Sequence, residues 1–451
     1  MIRAALLLVA ALVALPGQEW WFVGDIAGQP SVSLRVVEAE VPDGRSTTTE
    51  MTMLLGRRMG PLSTAMTIRQ ATETRFDHED RVAAIRIDED QNGLRSVADL
   101  RVERGTGGDE TAVGELRASG RTTPVRIALR PGERLGDDRG LQRALAGLPV
   151  GGTVAAVGLG LVSGRVLAVR STATITGRAD GLVAATVLAD IAPIPMRVTV
   201  DPAGMLRSMV LDMGFIRLDL RPADGPVALR PAEIDPAAIV RRTGPAPAGH
   251  AVQRYRLPRP GLVADSPFQR SECAVVTVVA AGDGPAPGPD WLAAEPRLEA
   301  DHPELRAWVA AQRGAAADGS PELAERLRLA VRAHITAKGL DQADAGALDT
   351  LRSRSGDCTE HAHLLCAALR SAGIPARVVV GVVYAADYGG WVGHAWVEAH
   401  AGGWLHLDAA YPGIPRTRYL ALAEVAGADG GIGRVAAALA GIAGGAVETL
   451  P

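Results

Sequence analysis

The side chains able to do chemistry are unevenly spread along the chain. Five of the nine His fall at positions 361, 363, 394, 400 and 406. Two of the three Cys fall at 358 and 366, and three of the seven Trp at 391, 396 and 404. Such clustering of titratable and aromatic groups marks a candidate site. Within it, Gly356-Asp357-Cys358-Thr359-Glu360 has the form of a helix start. Asp357 is a good N-cap and Glu360, three residues on, completes a capping box. The predicted helix runs through Leu364, Leu365, Ala368 and Leu369 to Gly373, with Pro375 as a stop beyond it. Cys358 then takes the first helical position. The partial positive charge and spare N–H groups of a helix N-terminus favour a thiolate nucleophile and can hold an oxyanion.

A base and its orienter are predicted on a hairpin. Residues 391–400 and 404–408 alternate like strands. His394, Trp396, Glu398 and His400 share one face of the first strand; Trp404, His406 and Asp408 share one face of the second. A three-residue loop over 400–402, with Gly402 in the left-handed position, fits the connection. Pairing 399 with 403 places 394 opposite 408, so Asp408 can orient the His394 imidazole. A slip of one residue would put Asp408 on the other face. If the Cys358 helix end abuts this face, the three residues form a nucleophile–base–orienter line.

These residues carry a resemblance. Leu351-Arg-Ser-Arg-Ser-Gly-Asp-Cys-Thr-Glu-His-Ala362, Leu369-Arg-Ser-Ala-Gly-Ile-Pro-Ala-Arg-Val378, Gly393-His-Ala-Trp-Val-Glu398 and Gly403-Trp-Leu-His-Leu-Asp408 resemble the transglutaminase-like superfamily. The resemblance spans roughly 300–425. It implies a papain-like catalytic triad of Cys358, His394 and Asp408. One departure is Asp408-Ala-Ala, where the family often has Asp-Pro-Thr. The implied enzyme is a cysteine-dependent acyl-transfer catalyst acting on peptide or carboxamide bonds through a thioester, with hydrolysis by a protease or amidase favoured. Its alternatives are a transglutaminase with an amine acceptor, or a non-catalytic envelope binding or assembly protein with a dormant triad. A protein or peptide substrate is expected, with no cofactor.

The remaining reactive residues have plainer readings. Cys358, His361, His363 and Cys366 do not make a zinc site, because on one helix 358 and 366 stand about 12 Å apart along the axis. No metal is expected. Cys366, among Leu and Ala, reads as a small core residue, and Cys273 as structural or free. His361 either modulates Cys358 or is a surface residue. Trp391 and Trp396 either wall a cleft or pack. His400 and His406 read as surface or supporting groups.

The elements that must position this site occupy under a third of the chain. Before them, residues 20–222 alternate polar and apolar at period two over many segments, among them Ser31–Val41, Ser63–Phe76 and Arg165–Thr176. Turn signals such as Asn92-Gly93 and Ala179-Asp180-Gly181 separate them. The expected fold class is α+β: a large N-terminal antiparallel β domain, a twisted sheet or half-open barrel, followed by a papain-like, transglutaminase-like α+β catalytic domain at 296–425. Between them, 223–295 reads as a Pro/Gly-rich linker region with some β structure. Residues 426–451 read as an Ala/Gly-rich tail. Gly158-Leu-Gly160 with Gly164 fits neither nucleotide-binding glycine spacing.

Composition bounds the rest. In 451 residues, 47 basic and 51 acidic side chains give a net charge of −4, and the Arg are scattered. This carries no electrostatic footprint for nucleic acid. Arg3 followed by twelve apolar residues, 4–15, and then Pro16-Gly17 reads as a signal peptide over 1–17. The run is too short for a membrane span, which needs about 20 residues. Export to the periplasm, cell envelope or medium is expected.

Overall fold

The computed structural model describes residues 19–451 except 60–61, 137, 163, 215, 235–239, 264, 338–344, 412, 426–437, 439–440 and 444. The signal peptide expected at 1–17 lies outside the described residues. Two compact units are present: Met1–Gly56 with Ala65–Ile234, and Arg57–Thr64 with Asp235–Pro451.

The first unit is one large sheet. Its strands are β1 (Glu19–Ile26), β2 (Gln29–Val41), β3 (Gly44–Met59), β4 (Leu62–Phe76), β5 (Val82–Gln91), β6 (Leu94–Arg104), β7 (Glu110–Ala118) and β8 (Arg121–Ala128). After helix α1 (Asp138–Gly147) follow β9 (Thr153–Val162), β10 (Arg165–Ala179), β11 (Leu182–Ala189), β12 (Ala192–Val200), β13 (Leu206–Asp212), β14 (Arg217–Ala223) and the short β15 (Ala232–Ile234). The strand order is β8-β7-β6-β5-β4-β3-β2-β1-β14-β13-β12-β11-β10-β9, with β15 on β3. Sequential neighbours are joined by tight turns. Asn92-Gly93 and Asp180-Gly181 take positive φ at both positions, as a two-residue hairpin of this twist requires. Alternation decides which face is buried: Val32, Leu34 and Val36 are fully inside, while Ser33 and Arg35 between them are not. The sheet curls, so that Leu159 and Leu161 of β9 share a core with Ile87, Leu100 and Phe76. Its end strands β8 and β9 share no ladder among the described residues.

Among the described residues, the second unit holds two sheets and a group of helices. A five-stranded sheet has the order β16 (Arg241–Thr243), β24 (Ala446–Leu450), β17 (Val252–Arg256), β19 (Val275–Val279), β18 (Gln269–Glu272). The region read as a linker with some β structure supplies four of these strands, and the region read as a tail supplies the fifth, paired to both β16 and β17. Short strands whose partners are distant in sequence leave little periodic signal.

A four-stranded antiparallel sheet, β22 (Trp404–Leu407), β21 (Gly390–His400), β20 (Ala376–Ala385), β23 (Tyr419–Val425), is covered on one face by helices. These are α2 (Pro303–Gln312), α3 (Pro321–His334), α4 (Ala347–Ser353) and α5 (Cys358–Ser371). Ser320 caps α3 by accepting the Leu323 N–H at 3.1 Å, with Pro321 at the first helical position. Leu364, Leu365 and Leu369 of α5 are fully buried against Leu327 and Val331 of α3 and Val378, Val397 and Ala399 of the sheet. Each such side chain contributes about 1.5–3 kcal/mol by burial. The other face carries Val379, Val383, Trp396, Tyr419 and Ala421.

Candidate active site

The start of α5 is built as its residues dictate. Asp357 accepts the Thr359 N–H at 2.8 Å, and its side chain also takes the Glu360 N–H. Glu360 Oε2 returns to accept the Asp357 N–H at 2.8 Å, and Oε1 accepts the Ala345 N–H at 3.0 Å. Gly356 is required beside it: a Cβ there would lie 2.3 Å from the Glu360 Cβ. Burial, with the Asp357 charge adjacent, pushes the Glu360 carboxyl well above the ordinary carboxylate range. As the first residue of α5, Cys358 presents a backbone N–H that the helix itself does not use. Cys358 itself is half-buried. His361 is buried rather than on the surface, and its Nδ1 donates to the Asp357 carbonyl at 2.6 Å. It braces the helix start that presents Cys358.

His394 lies on β21 and Asp408 just beyond β22. His394 Nε2 and Asp408 Oδ2 are 2.8 Å apart. The hairpin register differs from the sequence expectation. His400 pairs with Trp404 and Ala399 with Leu405, and the loop is 401–403 with Gly402 at φ 71°. The shift is two residues, so every side chain keeps its face. Asp408 therefore meets His394 diagonally instead of directly across, still within reach.

The carboxylate is fully engaged. Oδ2 also accepts from the Tyr419 hydroxyl at 2.7 Å, and Oδ1 accepts the N–H groups of Ala410 and Tyr411 at 2.8 and 3.0 Å. Burial alone would raise this carboxyl; the donors of His394, Tyr411 and Tyr419 outweigh it and hold it at about 2. For His394 burial opposes the charged form, but Asp408 and the neighbouring Cys358 prevail and raise it to about 10. Its Nδ1 is buried with no hydrogen-bond partner among the described residues. Cys358 is a near neighbour of that imidazole and favours its charged form. From α3, Arg328 donates to the Asp408 carbonyl at 3.0 Å and Arg332 to the Ala410 carbonyl at 3.2 Å. These two clamp the Asp408-Ala-Ala turn.

Around this line stand aromatic rings. Tyr411 lies 4.9 Å from the His394 ring, and Trp396 stacks beside it at 6.2 Å and 21°. Trp396 is buried, backing the imidazole. Trp391 lines no cleft: it is wholly buried, edge-on to Tyr255 at 5.2 Å and Tyr384 at 5.8 Å. His406 is not on the surface. It is half-buried, with both ring nitrogens out of water, 4.4 Å from the Tyr419 ring, and loss of solvent, with Arg416 close by, pushes it well below the usual imidazole value. His400 is half-buried against Trp404. Below the site a buried ion network joins Glu398 to Arg377 at 2.7 Å and to Arg416 at 3.6 Å, with Glu424 also on Arg377. Burial pulls Arg416 down to about 10.

Cys366 is fully buried in α5, where burial pushes its thiol up to about 11. Cys273 is exposed, and neither is in a disulfide. Among the described residues, no three His, Cys, Asp or Glu side chains converge as metal ligands would. Likewise no helix among them is long and apolar enough to cross a membrane. Tyr419, Arg328 and Arg332 escaped the sequence reading. The one local signal was Tyr419 itself, one of only five Tyr in the chain.

Comparison with known proteins agrees with the region that the site occupies. Residues 306–409 match the family model of the transglutaminase-like superfamily. A candidate cysteine protease from Cytophaga hutchinsonii is 16% identical, over 45% of this chain and 83% of its own, with a TM-score of 0.31. A β-barrel-like protein of unknown function from Brucella abortus is 13% identical, over 46% of this chain and 94% of its own, at 0.34. A candidate protease from Parabacteroides distasonis is 12% identical, over 80% of this chain and 66% of its own, at 0.21. No curated protein matches the sequence. Over residues 306–409, under a quarter of the chain, the C-terminal region is similar to the transglutaminase-like superfamily.

Proposed function

We propose that the protein is an exported cysteine-dependent acyl-transfer enzyme that hydrolyses peptide or carboxamide bonds. One observation carries this reading: Asp408 holds His394 by Nε2, and Cys358 neighbours the same imidazole, whose Nδ1 Asp408 leaves unused. In the proposed reaction the Cys358 thiol proton passes to Nδ1 and Sγ bonds to the substrate carbonyl carbon. The oxyanion takes the unspent Cys358 N–H. When the C–N bond breaks, the imidazolium proton goes to the leaving amine and a thioester remains. Water, deprotonated by His394, then adds to the thioester and releases the acid and the thiol. Asp408 keeps Nδ1 facing the thiol and supports the imidazolium. Export rests on the apolar run after Arg3.

Iodoacetamide labelling of Cys358, followed by intact mass against pH, tests the pair. Rapid single-site labelling well below about pH 8.5, the midpoint of a free thiol, is expected, slowed by His394→Ala. Equal rates in the two proteins would refute the mechanism. A peptide-library digest then separates hydrolysis, which adds water to the products, from transfer to an added primary amine.

A further inference from the structure

We propose that Tyr419 is a positioning residue of this site, whose hydroxyl fixes the Asp408 carboxylate and competes with His394 for the same oxygen. The inference rests on the reading of Cys358, His394 and Asp408 as the reacting line.

Tyr419 is fully buried, and its hydroxyl lies 2.7 Å from Oδ2, the oxygen that His394 Nε2 meets at 2.8 Å. With two backbone N–H groups on Oδ1, the carboxylate receives four donors, the full acceptor capacity of the group. It has no free lone pair with which to rotate toward another partner. The backbone that carries Tyr419 is itself held on both sides. Two residues before it, the Thr417 carbonyl accepts the Tyr255 hydroxyl at 2.6 Å. Two residues after it, Gln269 brackets Ala421, accepting its N–H at 3.0 Å and donating to its carbonyl at 2.8 Å. The five-stranded sheet thus sets where the Tyr419 ring enters the site.

A donor on the oxygen that binds the imidazolium draws off part of its negative charge. Asp408 stays ionised, while its grip on the His394 proton is reduced. A proton so held is more readily passed to a leaving amine. Filling space alone would need only a phenyl ring. The other groups facing His394 are Cys358 from α5, Tyr411 beyond β22, and His406 behind Tyr419.

The test is the titration of His394 in the full chain, read by nitrogen-15 NMR of labelled histidines. Tyr419→Phe should move the His394 midpoint to higher pH by on the order of half a unit or more. Replacing Tyr419 by 3-fluorotyrosine, a stronger donor of the same shape, should move it to lower pH. If Tyr419→Phe does not fold, the fluorinated protein decides alone. An unmoved midpoint in the folded variants, or a shift of the same sign in both, overturns the inference. This titration needs no substrate, so it fails or succeeds separately from the labelling test of the Cys358–His394 pair.

Discussion

On the N-terminal sheet Arg95 meets Asp88 at 2.6 Å with 62% of its side chain in water. In the four-stranded sheet Arg377 meets Glu398 at 2.7 Å with 6% and 0% exposed. The geometry is nearly the same and the physical meaning is not. Exposed pairs such as Arg95–Asp88, or the Arg117–Asp99 contact at 3.1 Å, gain little in water and are screened by salt. They decorate the outer face of a sheet whose inner face does the folding. The buried pairs give up hydration that only complete pairing restores. Those of Glu398 with Arg377 and Arg416 lie next to the site, with Arg416 5.9 Å from the Trp396 ring that backs His394. The contrast separates charge that keeps a surface wet from charge that a site requires.

The largest effect expected from breaking the buried side is chemical. Asp408→Asn should slow iodoacetamide labelling of Cys358 at neutral pH by about 100-fold or more, with near-normal circular dichroism. An unchanged rate would remove Asp408 from the line. Next is stability: Glu398→Ala strands the Arg377 and Arg416 charges and should cost about 3–5 kcal/mol in urea denaturation. A loss below about 1 kcal/mol would equate this network with the outer sheet. The pH dependence is third. His394 is raised to about 10 when folded, from about 6.5 unfolded. Its stabilisation is therefore complete below about pH 6.5 and disappears as pH rises toward 10. Asp408, lowered to about 2, contributes above about pH 3.8 and loses its effect as pH falls toward 2. Denaturation midpoints should fall more steeply between pH 7 and 10 in the natural protein than in His394→Ala; parallel curves would contradict this. Smallest of all, Arg95→Ala on the outer sheet should change stability by about 0–1 kcal/mol, and high salt should reduce the difference further.

Much of this could be read from the sequence, for local reasons. The capping box at Asp357 and Glu360 is a four-residue pattern, so the place of Cys358 followed from it. Period-two alternation exposed the large sheet, and Asn92-Gly93 one of its turns. The hairpin register was two residues off, yet parity kept His394 and Asp408 on one face. What stayed hidden is non-local. Arg328 reaches Asp408 across 80 residues of chain and Gln269 reaches Ala421 across 152. No spacing rule records such contacts. Burial was hidden for the same reason: His361 and Trp391 are covered by elements that the sequence around them does not name.

The strand Ala446–Leu450 lies between β16 and β17, and Gln253 bonds to the Leu450 carbonyl across 197 residues. At a synthesis rate of roughly 5–20 residues per second, that separation amounts to roughly 10–40 s on the ribosome. During this interval β17 presents an open edge and β16 has no neighbour in its sheet. A nascent chain in this condition is exposed to pairing with other strands. Tyr255 on β17, which fixes the approach to Tyr419, belongs to the part of the molecule whose assembly is completed late.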